Sequence, residues 1–317
     1  MADGIVVAGS IIVDKIYEIP VYPNSGELVK ILGERKAIGG LTPNVGIDIK
    51  RAFPDITVKA VGKIGNDELG VYAKKVLTEN GIDVTAVKEG NASTSYTLVT
   101  SVIGGQRTFF SYAGANNEFG YDDVDFNALN AKMIHLGYFL LLEKIDAGDG
   151  LKILKKAKET GVKTSIDLVT ENSNRYSLVK ECLPYVDNLI INEEEAGRIC
   201  NITPTEENIP LILKTLKSFG VNERVIIHTP NAGYCYDTEL TVYNSINVPK
   251  DFIKGKTGAG DAFCAGALVG IYKNLSNYEI LKMATVTATC SLRSAGAIDG
   301  ISKYEEMLTV CDNVING

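Results

Sequence analysis

The chain has 317 residues, of which 45% are hydrophobic and 22% charged; this is the balance of a globular protein long enough for one large α/β domain or two small ones. A formal net charge of −7 argues against a nucleic-acid-binding surface, so an anionic ligand must be held by local groups and not by a basic field. No apolar run reaches transmembrane length, and Met1-Ala2-Asp3-Gly4 carries no basic segment leading into an apolar one, so the expectation is a cytoplasmic protein with neither a membrane nor a nucleic-acid partner.

Short apolar runs alternate with helical patterns along most of the chain, which predicts a parallel sheet with helices on its faces. The first run, 5–8, is followed by Gly9-Ser10-Ile11-Ile12-Val13-Asp14. A carboxylate at Asp14 can accept two hydroxyl hydrogen bonds at once, which suits a sugar, or it can serve as a turn residue. Segments 15–19 and 27–36 read as a pair of antiparallel strands. Gly39-Gly40 permits close backbone approach. Thr42-Pro43 predicts an N-cap followed by proline at the first helical position, opening a helix through about residue 52. Asn44, one turn into that helix, has a side-chain amide to offer a hydroxyl. A strand at 58–61 precedes a helix from about 68 to 80, ended by Gly81. A second antiparallel pair, 93–102 with 106–113, contains the hairpin signal Gly104-Gly105. Arg107 and Asn116 lie on and just after it, where they could touch a substrate, although a solvated surface charge also accounts for Arg107.

Strands at 133–136, 164–166, 189–191 and 225–227, with helices at 150–160, 210–219, 262–272, 278–294 and 303–313, continue the alternation. Small residues at Ala284, Ala288 and Ala295 predict close helix packing near the end of the chain. His135 and His228 lie inside apolar runs and read as core or strand-end residues. Cys182, Cys200, Cys235, Cys264, Cys290 and Cys311 form no C-x-x-C pair and read as reduced core residues. Little material remains for a zinc site or a Ser-His-Asp triad. Glu193, Glu194 and Glu195 after the 189–191 strand would favour the N-terminal end of a helix dipole.

The densest signal is Gly255-Lys256-Thr257-Gly258-Ala259-Gly260-Asp261-Ala262-Phe263-Cys264-Ala265-Gly266. A glycine-rich bend feeding a helix leaves backbone N–H groups free to hold a transferring phosphoryl group. Asp261 then stands where a carboxylate can take the proton of an attacking hydroxyl. A Walker A loop would need glycine where Lys250 stands, which excludes that reading of Gly255-Lys256-Thr257. The plainer alternative is a tight turn with Asp261 as a helix cap.

Gly258-Ala259-Gly260-Asp261 resembles the GAGD signature of the ribokinase-like sugar kinases, the PfkB family. Gly39-Gly40 with Asn44 resembles that family's N-terminal glycine pair. Residues 61–70, Val61-Gly62-Lys63-Ile64-Gly65-Asn66-Asp67-Glu68-Leu69-Gly70, are similar to its VGxxGxDxxG block, and Asn192-Glu193-Glu194-Glu195 to its NxxE motif. The motifs appear in family order over about residues 5 to 300. The resemblance implies one ribokinase-like domain over residues 1–317. Its three α/β/α layers would enclose a mostly parallel sheet, and a small β-sheet lid would be inserted near 15–36 and 93–113. It implies an ATP-dependent sugar kinase using Mg2+, with Asp261 as base and Gly258, Ala259 and Gly260 as the anion hole. Asp14, Gly39, Gly40, Asn44, Arg107 and Asn116 would face the sugar. Asn192, Gly233, Lys256, Gly258 and Gly260 would face the nucleotide, with Asn192 and Glu195 ordering the metal through water. A homodimer through the lid is the implied assembly. A nucleoside kinase on the same fold, or a binding regulator without turnover, are the alternatives.

Two positions depart from the family pattern. Gly255-Lys256 stand where Asp-Thr is common, which puts a monovalent-cation site in doubt. His228-Thr229-Pro230 replaces a Thr-x-Gly at a nucleotide-side strand end, with Gly233 retained, and Pro230 removes an amide donor.

Overall fold

The N-terminal apolar run becomes strand β1 (Ile5–Ala8), every residue of which is buried, as a parallel strand covered on both faces requires. A computed structural model of the chain describes residues 3–102, 107–171 and 173–316. In it β1 lies between β4 (Val58–Gly65) and β8 (Met133–Phe139), parallel to both. The sheet continues in parallel through β9 (Lys163–Leu168), β10 (Asn188–Asn192) and β11 (Arg224–His228). It ends in the antiparallel β12 (Ala232–Tyr236) and β13 (Leu240–Asn244). At the other edge β5 (Asp83–Gly90) pairs with β4, giving nine strands in the order β13-β12-β11-β10-β9-β8-β1-β4-β5. The six runs read from the sequence as central strands are all here. That reading omits the edge strands β5 and β13 and the antiparallel β12 between β11 and β13, none of which is buried along its whole length as the central parallel strands nearly are.

The sheet divides two cores. Ile5 and Val7 pack on the side of α1 (Leu41–Ala52), α2 (Glu68–Glu79), α6 (Ala259–Tyr272), α7 (Asn277–Ser291) and α8 (Tyr304–Asn316). Val6 and Ala8 face the opposite core, with α3 (Gly150–Glu159), α4 (Glu193–Cys200) and α5 (Ile209–Ser218). The expected three layers follow from this two-residue alternation. The predicted close packing is found between α6 and α7, where a side-chain carbon on Gly266 would lie 2.7 Å from the Ala284 backbone.

A second sheet, in the order β3-β2-β6-β7, supplies the expected small lid. It joins β2 (Ile12–Ile19) and β3 (Gly33–Gly39), antiparallel, to β6 (Tyr96–Val102) and β7 (Arg107–Tyr112), also antiparallel, through a parallel β2–β6 pair. The strand expected at 27–36 forms instead at Gly33–Gly39. Leu28 is 92% exposed, and pairing starts only at Gly33, opposite Glu18. The Gly104-Gly105 hairpin signal lies outside the described residues.

The start of α1 also differs from expectation. The cap is Gly40, not Thr42, and Pro43 is the third helical residue. Strand β3 runs straight into Gly40, whose φ of 86° belongs to glycine. Ser10 then caps the helix from a distant part of the chain. Its Oγ accepts from Leu41 N–H at 3.0 Å, and its carbonyl accepts from Thr42 N–H at 3.1 Å.

Candidate active site

Helix α6 begins after Gly258, which holds a left-handed φ of 82°. A side-chain carbon at Gly258 would meet the Ala297 carbonyl at 2.6 Å, so the bend is closed to other residues. Ala259 N–H donates to the Lys256 carbonyl at 3.3 Å and tightens the turn. The amides of Gly260 and Asp261 belong to the first helical turn, which lacks intrahelical acceptors. Gly255 is confined as well: the Ser294 carbonyl and the Ala295 Cα occupy the space a side chain would need. The carboxylate common in the family at this position has no room here.

Asp261, the third residue of α6, is 8% exposed and lines a cleft at the carboxyl ends of the parallel strands, the usual location for ligands in such sheets. Asn44 Nδ2 donates to Asp261 Oδ2 at 2.8 Å. Tyr138 OH lies 3.2 Å from both carboxylate oxygens. Burial and the nearby Asp167 charge push the Asp261 carboxyl up to about 7, against these two hydrogen bonds, which favour ionisation. Burial, with Asp261 and Asp167 adding to it, raises the Tyr138 phenol well above its ordinary value, so it acts as a donor. Tyr138 N–H donates in turn to Asp167 Oδ1 at 2.7 Å.

Across the cleft, Asn192 and Glu195 form a capping box on α4. Glu195 N–H donates to Asn192 Oδ1 at 2.9 Å, and Asn192 N–H to Glu195 Oε2 at 3.2 Å. Thr170 Oγ1 donates to Glu195 Oε1 at 2.8 Å. Burial lifts the Glu195 carboxyl to about 7 despite these bonds. Asp167, Glu195, Asp261 and Asn192 all line the cleft, an oxygen-rich donor set that fits a hard divalent ion keeping part of its water shell. Both Glu195 oxygens are already hydrogen-bonded, which suits contact through water more than direct ligation.

On the lid side, Asp14 sits in β2 against β3: a side-chain carbon on Gly39 would come within 3.0 Å of its Oδ2. Burial raises the Asp14 carboxyl, countered by Thr97 and the Arg35 charge. Asp14, Gly39, Gly40 and Asn44 thus follow one another along β2, the end of β3 and the start of α1, but Gly39, Gly40 and Asn44 are buried, and the Asn44 amide reaches Asp261 and not a free hydroxyl. Asn116, 2% exposed, accepts from Ile11 N–H at 3.1 Å and so ties the lid to the main sheet. Arg107 is exposed and pairs with Ser101, which lies four residues along β6 from Thr97, the partner of Asp14; that is roughly 13 Å away at strand spacing. On the nucleotide side, His228 lines the cleft beside Gly260 and packs on Phe263 with ring centroids 4.9 Å apart. Burial pushes its imidazole down to about 4, so it is neutral. Gly233, opposite His228 in β12, makes room for Phe263 and Leu281. Lys256 is exposed on the loop before α6.

Tyr138 and Asp167 are absent from the sequence-derived candidates. The signal was their position: both follow strands read as ending at 136 and 166, at the carboxyl edge where α/β sites form.

The fold is that of ribokinase. The structure of Arabidopsis thaliana ribokinase complexed with ribose and ATP superposes with a TM-score of 0.84 at 23% identity, covering 98% of this chain and 99% of that one. A family model for pfkB family carbohydrate kinases matches residues 2–303, and the chain belongs to that family; it is an ATP-dependent carbohydrate kinase. Among relatives, a ribokinase of Arabidopsis thaliana is 25% identical, with 97% of this chain and 80% of that protein covered. An ATP-dependent 6-phosphofructokinase of Thermoanaerobacterium thermosaccharolyticum is also 25% identical, over 88% of this chain and 86% of that protein. No helix among the described residues is long and apolar enough to cross a membrane.

Proposed function

We propose that the chain transfers the γ-phosphoryl group of Mg·ATP to a hydroxyl of a small sugar, with Asp261 as the general base. The placement of Asp261 carries this reading. Its carboxylate is held by Asn44 and Tyr138 at the head of α6, between a bend able to bind an anion and the surface formed by Asp14, Gly39 and Gly40. A base raised toward neutrality is matched to deprotonating a hydroxyl as it attacks phosphorus. The Gly258–Gly260 bend, with the first-turn amides of α6, stabilises charge on the transferring group. Asn44 and Tyr138 orient the base, and Asp14 accepts sugar hydroxyls. Asn192 and Glu195 would hold the magnesium ion through water; when bound, it neutralises phosphate charge. Lys256 adds a positive charge on the nucleotide side. The lid over the sugar excludes water and so suppresses ATP hydrolysis.

ATP turnover measured against a panel of sugars and nucleosides tests the reading, with Asp261→Asn alongside. Sugar-dependent turnover that collapses in the variant supports it. Preference for a nucleoside would reassign the acceptor, and absence of turnover with every acceptor would overturn it. The exposed Phe109 and Phe110 on edge strand β7 (62% and 58% exposed) support a homodimer through the lid. Sedimentation should show a dimer that a Phe109→Glu, Phe110→Glu double variant converts to monomer.

A further inference from the structure

Behind the Asp261 cleft, three side chains of a different chemical kind converge. His135 on β8, Asp167 at the end of β9 and Cys264 on α6 are all buried, and one donor atom from each lies within 4.8 Å of the others. Asp167 Oδ2 is 3.6 Å from His135 Nε2, and Cys264 Sγ is 3.4 Å from the same nitrogen. Phosphoryl transfer by a carboxylate base has no use for an imidazole and a thiol here. Read from the sequence, both were ordinary core residues, because strand and helix bring them together only in the fold.

The spacing is that of ligands around a small tetrahedral ion. Bonds of about 2.0–2.3 Å set at tetrahedral angles put ligand atoms roughly 3.3–3.6 Å apart, which matches the two distances above. The outer contact fits as well. His135 Nδ1 lies 2.9 Å from Ser165 Oγ. With Nδ1–H donating to Ser165, the Nε2 lone pair faces Asp167 and Cys264, as in metal-binding imidazoles that give their other N–H to a neighbour. A thiolate and a carboxylate together balance a divalent charge. Asp167 and Cys264 both line the cleft, which gives the ion a path of entry and an open fourth position.

We propose that His135, Asp167 and Cys264 form a binding site for a thiophilic divalent cation of the zinc class. Imidazole and thiolate suit zinc and are poor ligands for magnesium, so this site differs in kind from the oxygen-donor set of the cleft, with which it shares Asp167 alone. Occupancy would reach the base: Asp167 also accepts from Tyr138 N–H, and the Tyr138 hydroxyl touches Asp261. A bound ion that draws in Asp167 shifts this chain and lowers turnover. That consequence rests on the role proposed for Asp261; the binding site does not.

Binding is tested with the full chain freed of metal by chelation, using zinc against a chromophoric chelator and cobalt(II) as a spectroscopic probe. The expected result is one zinc per chain and a thiolate-to-cobalt charge-transfer band in the near ultraviolet. Cys264→Ala should abolish the band and weaken zinc binding by on the order of 100-fold. Ser165→Ala keeps all three ligands and should weaken zinc by about 10- to 100-fold, as loss of an outer partner does. Cys290 and Cys311, with sulfurs 3.9 Å apart between α7 and α8, stay in both variants. No bound zinc in the wild type, or a cobalt band that survives Cys264→Ala, overturns the site. Each protein's turnover with zinc, at constant magnesium, is then compared with its own zinc-free rate. Inhibition of the wild type that a chelator reverses and Cys264→Ala escapes supports the link to Asp261. Zinc bound without inhibition removes that link and leaves the site standing.

Discussion

The cleft and the lid are built in opposite ways. In the cleft, the buried Asp261, Asn44 and Asp167 and the partly buried Tyr138 form one hydrogen-bonded chain anchored to helix starts and strand ends. In the lid, β7 is exposed along nearly its whole length, and Asp14 on β2 is only half-buried. On the proposed reading, the chemistry rests on helix starts and strand ends, whereas sugar recognition rests on a thin sheet whose outer strand β7 is exposed. Relatives described as ribokinase and 6-phosphofructokinase are what such a division permits: one phosphoryl-transfer centre under different covers.

Changing the base should break the cleft side most severely. Asp261→Asn should lower kcat by roughly 10²–10⁴-fold with nucleotide affinity nearly unchanged, measured by steady-state kinetics and calorimetry. With a carboxyl at about 7, wild-type kcat/KM should rise with pH through neutrality, since the base acts only when ionised. The same variant should be more stable. A carboxyl raised in the fold favours folding below its ordinary value near 4, and that favour is lost as pH rises toward 7. The gain from Asn should therefore grow over this range to on the order of 2–4 kcal/mol, read by denaturant melts at pH 4 and pH 8. Unchanged turnover in Asp261→Asn would dissolve the distinction between the two regions.

Asp14→Ala probes the junction. Sugar affinity should fall by roughly 1.5–3 kcal/mol, the worth of hydrogen bonds to a charged group, while calorimetry shows ATP binding preserved. Equal loss for both ligands would mean that the lid shapes the whole cleft. At the nucleotide side, Gly255 leaves no space for a cation-binding carboxylate, and Lys256 would repel a neighbouring potassium ion. Turnover should be nearly independent of potassium, and Lys256→Ala should lower kcat/KM for ATP by about tenfold, the size of one charge-assisted contact. Strong potassium activation of the wild type would contradict this.

The smallest effect is expected beneath the cleft. Asp48, one turn beyond Asn44 on α1, is fully buried, and neither carboxylate oxygen has a hydrogen-bond partner among the described residues. Burial, and then the Asp261 charge, raises its carboxyl well above the ordinary value. Asp48→Ala should stabilise the chain by about 1 kcal/mol, more at pH 8 than at pH 5, because ionising the wild-type residue costs more as pH rises.

The layers, the two-sheet plan and the Gly258–Asp261 bend were legible because each leaves a local mark: a buried apolar run, a helical period, a run of small residues before an acid. The cap of α1 was not, since Ser10 supplies it from another strand and only the fold brings the two together. For the same reason Asn44 could be placed on a helix from its neighbours, but its partner Asp261, far away in sequence, could not be foreseen. Tyr138 and Asp167 escaped because the apolar runs stop short of the strand ends. The start of β3 depends on pairing with β2 and not on its own residues, which misplaced it.

The parallel pairing of β2 with β6 sets Val13 opposite Tyr96, and the intervening chain runs through β3, α1, β4, α2 and β5. No hairpin can bring these strands together. The entropy of closing so long a loop is recovered only once the intervening segment has condensed against the main sheet. The lid is therefore a late-assembling unit whose order of formation is dictated by the half-domain beneath it. A chain emerging from synthesis would hold β2 and β3 as a two-stranded ribbon with the β2 edge free, open to association with other chains, until β6 arrives to cover it.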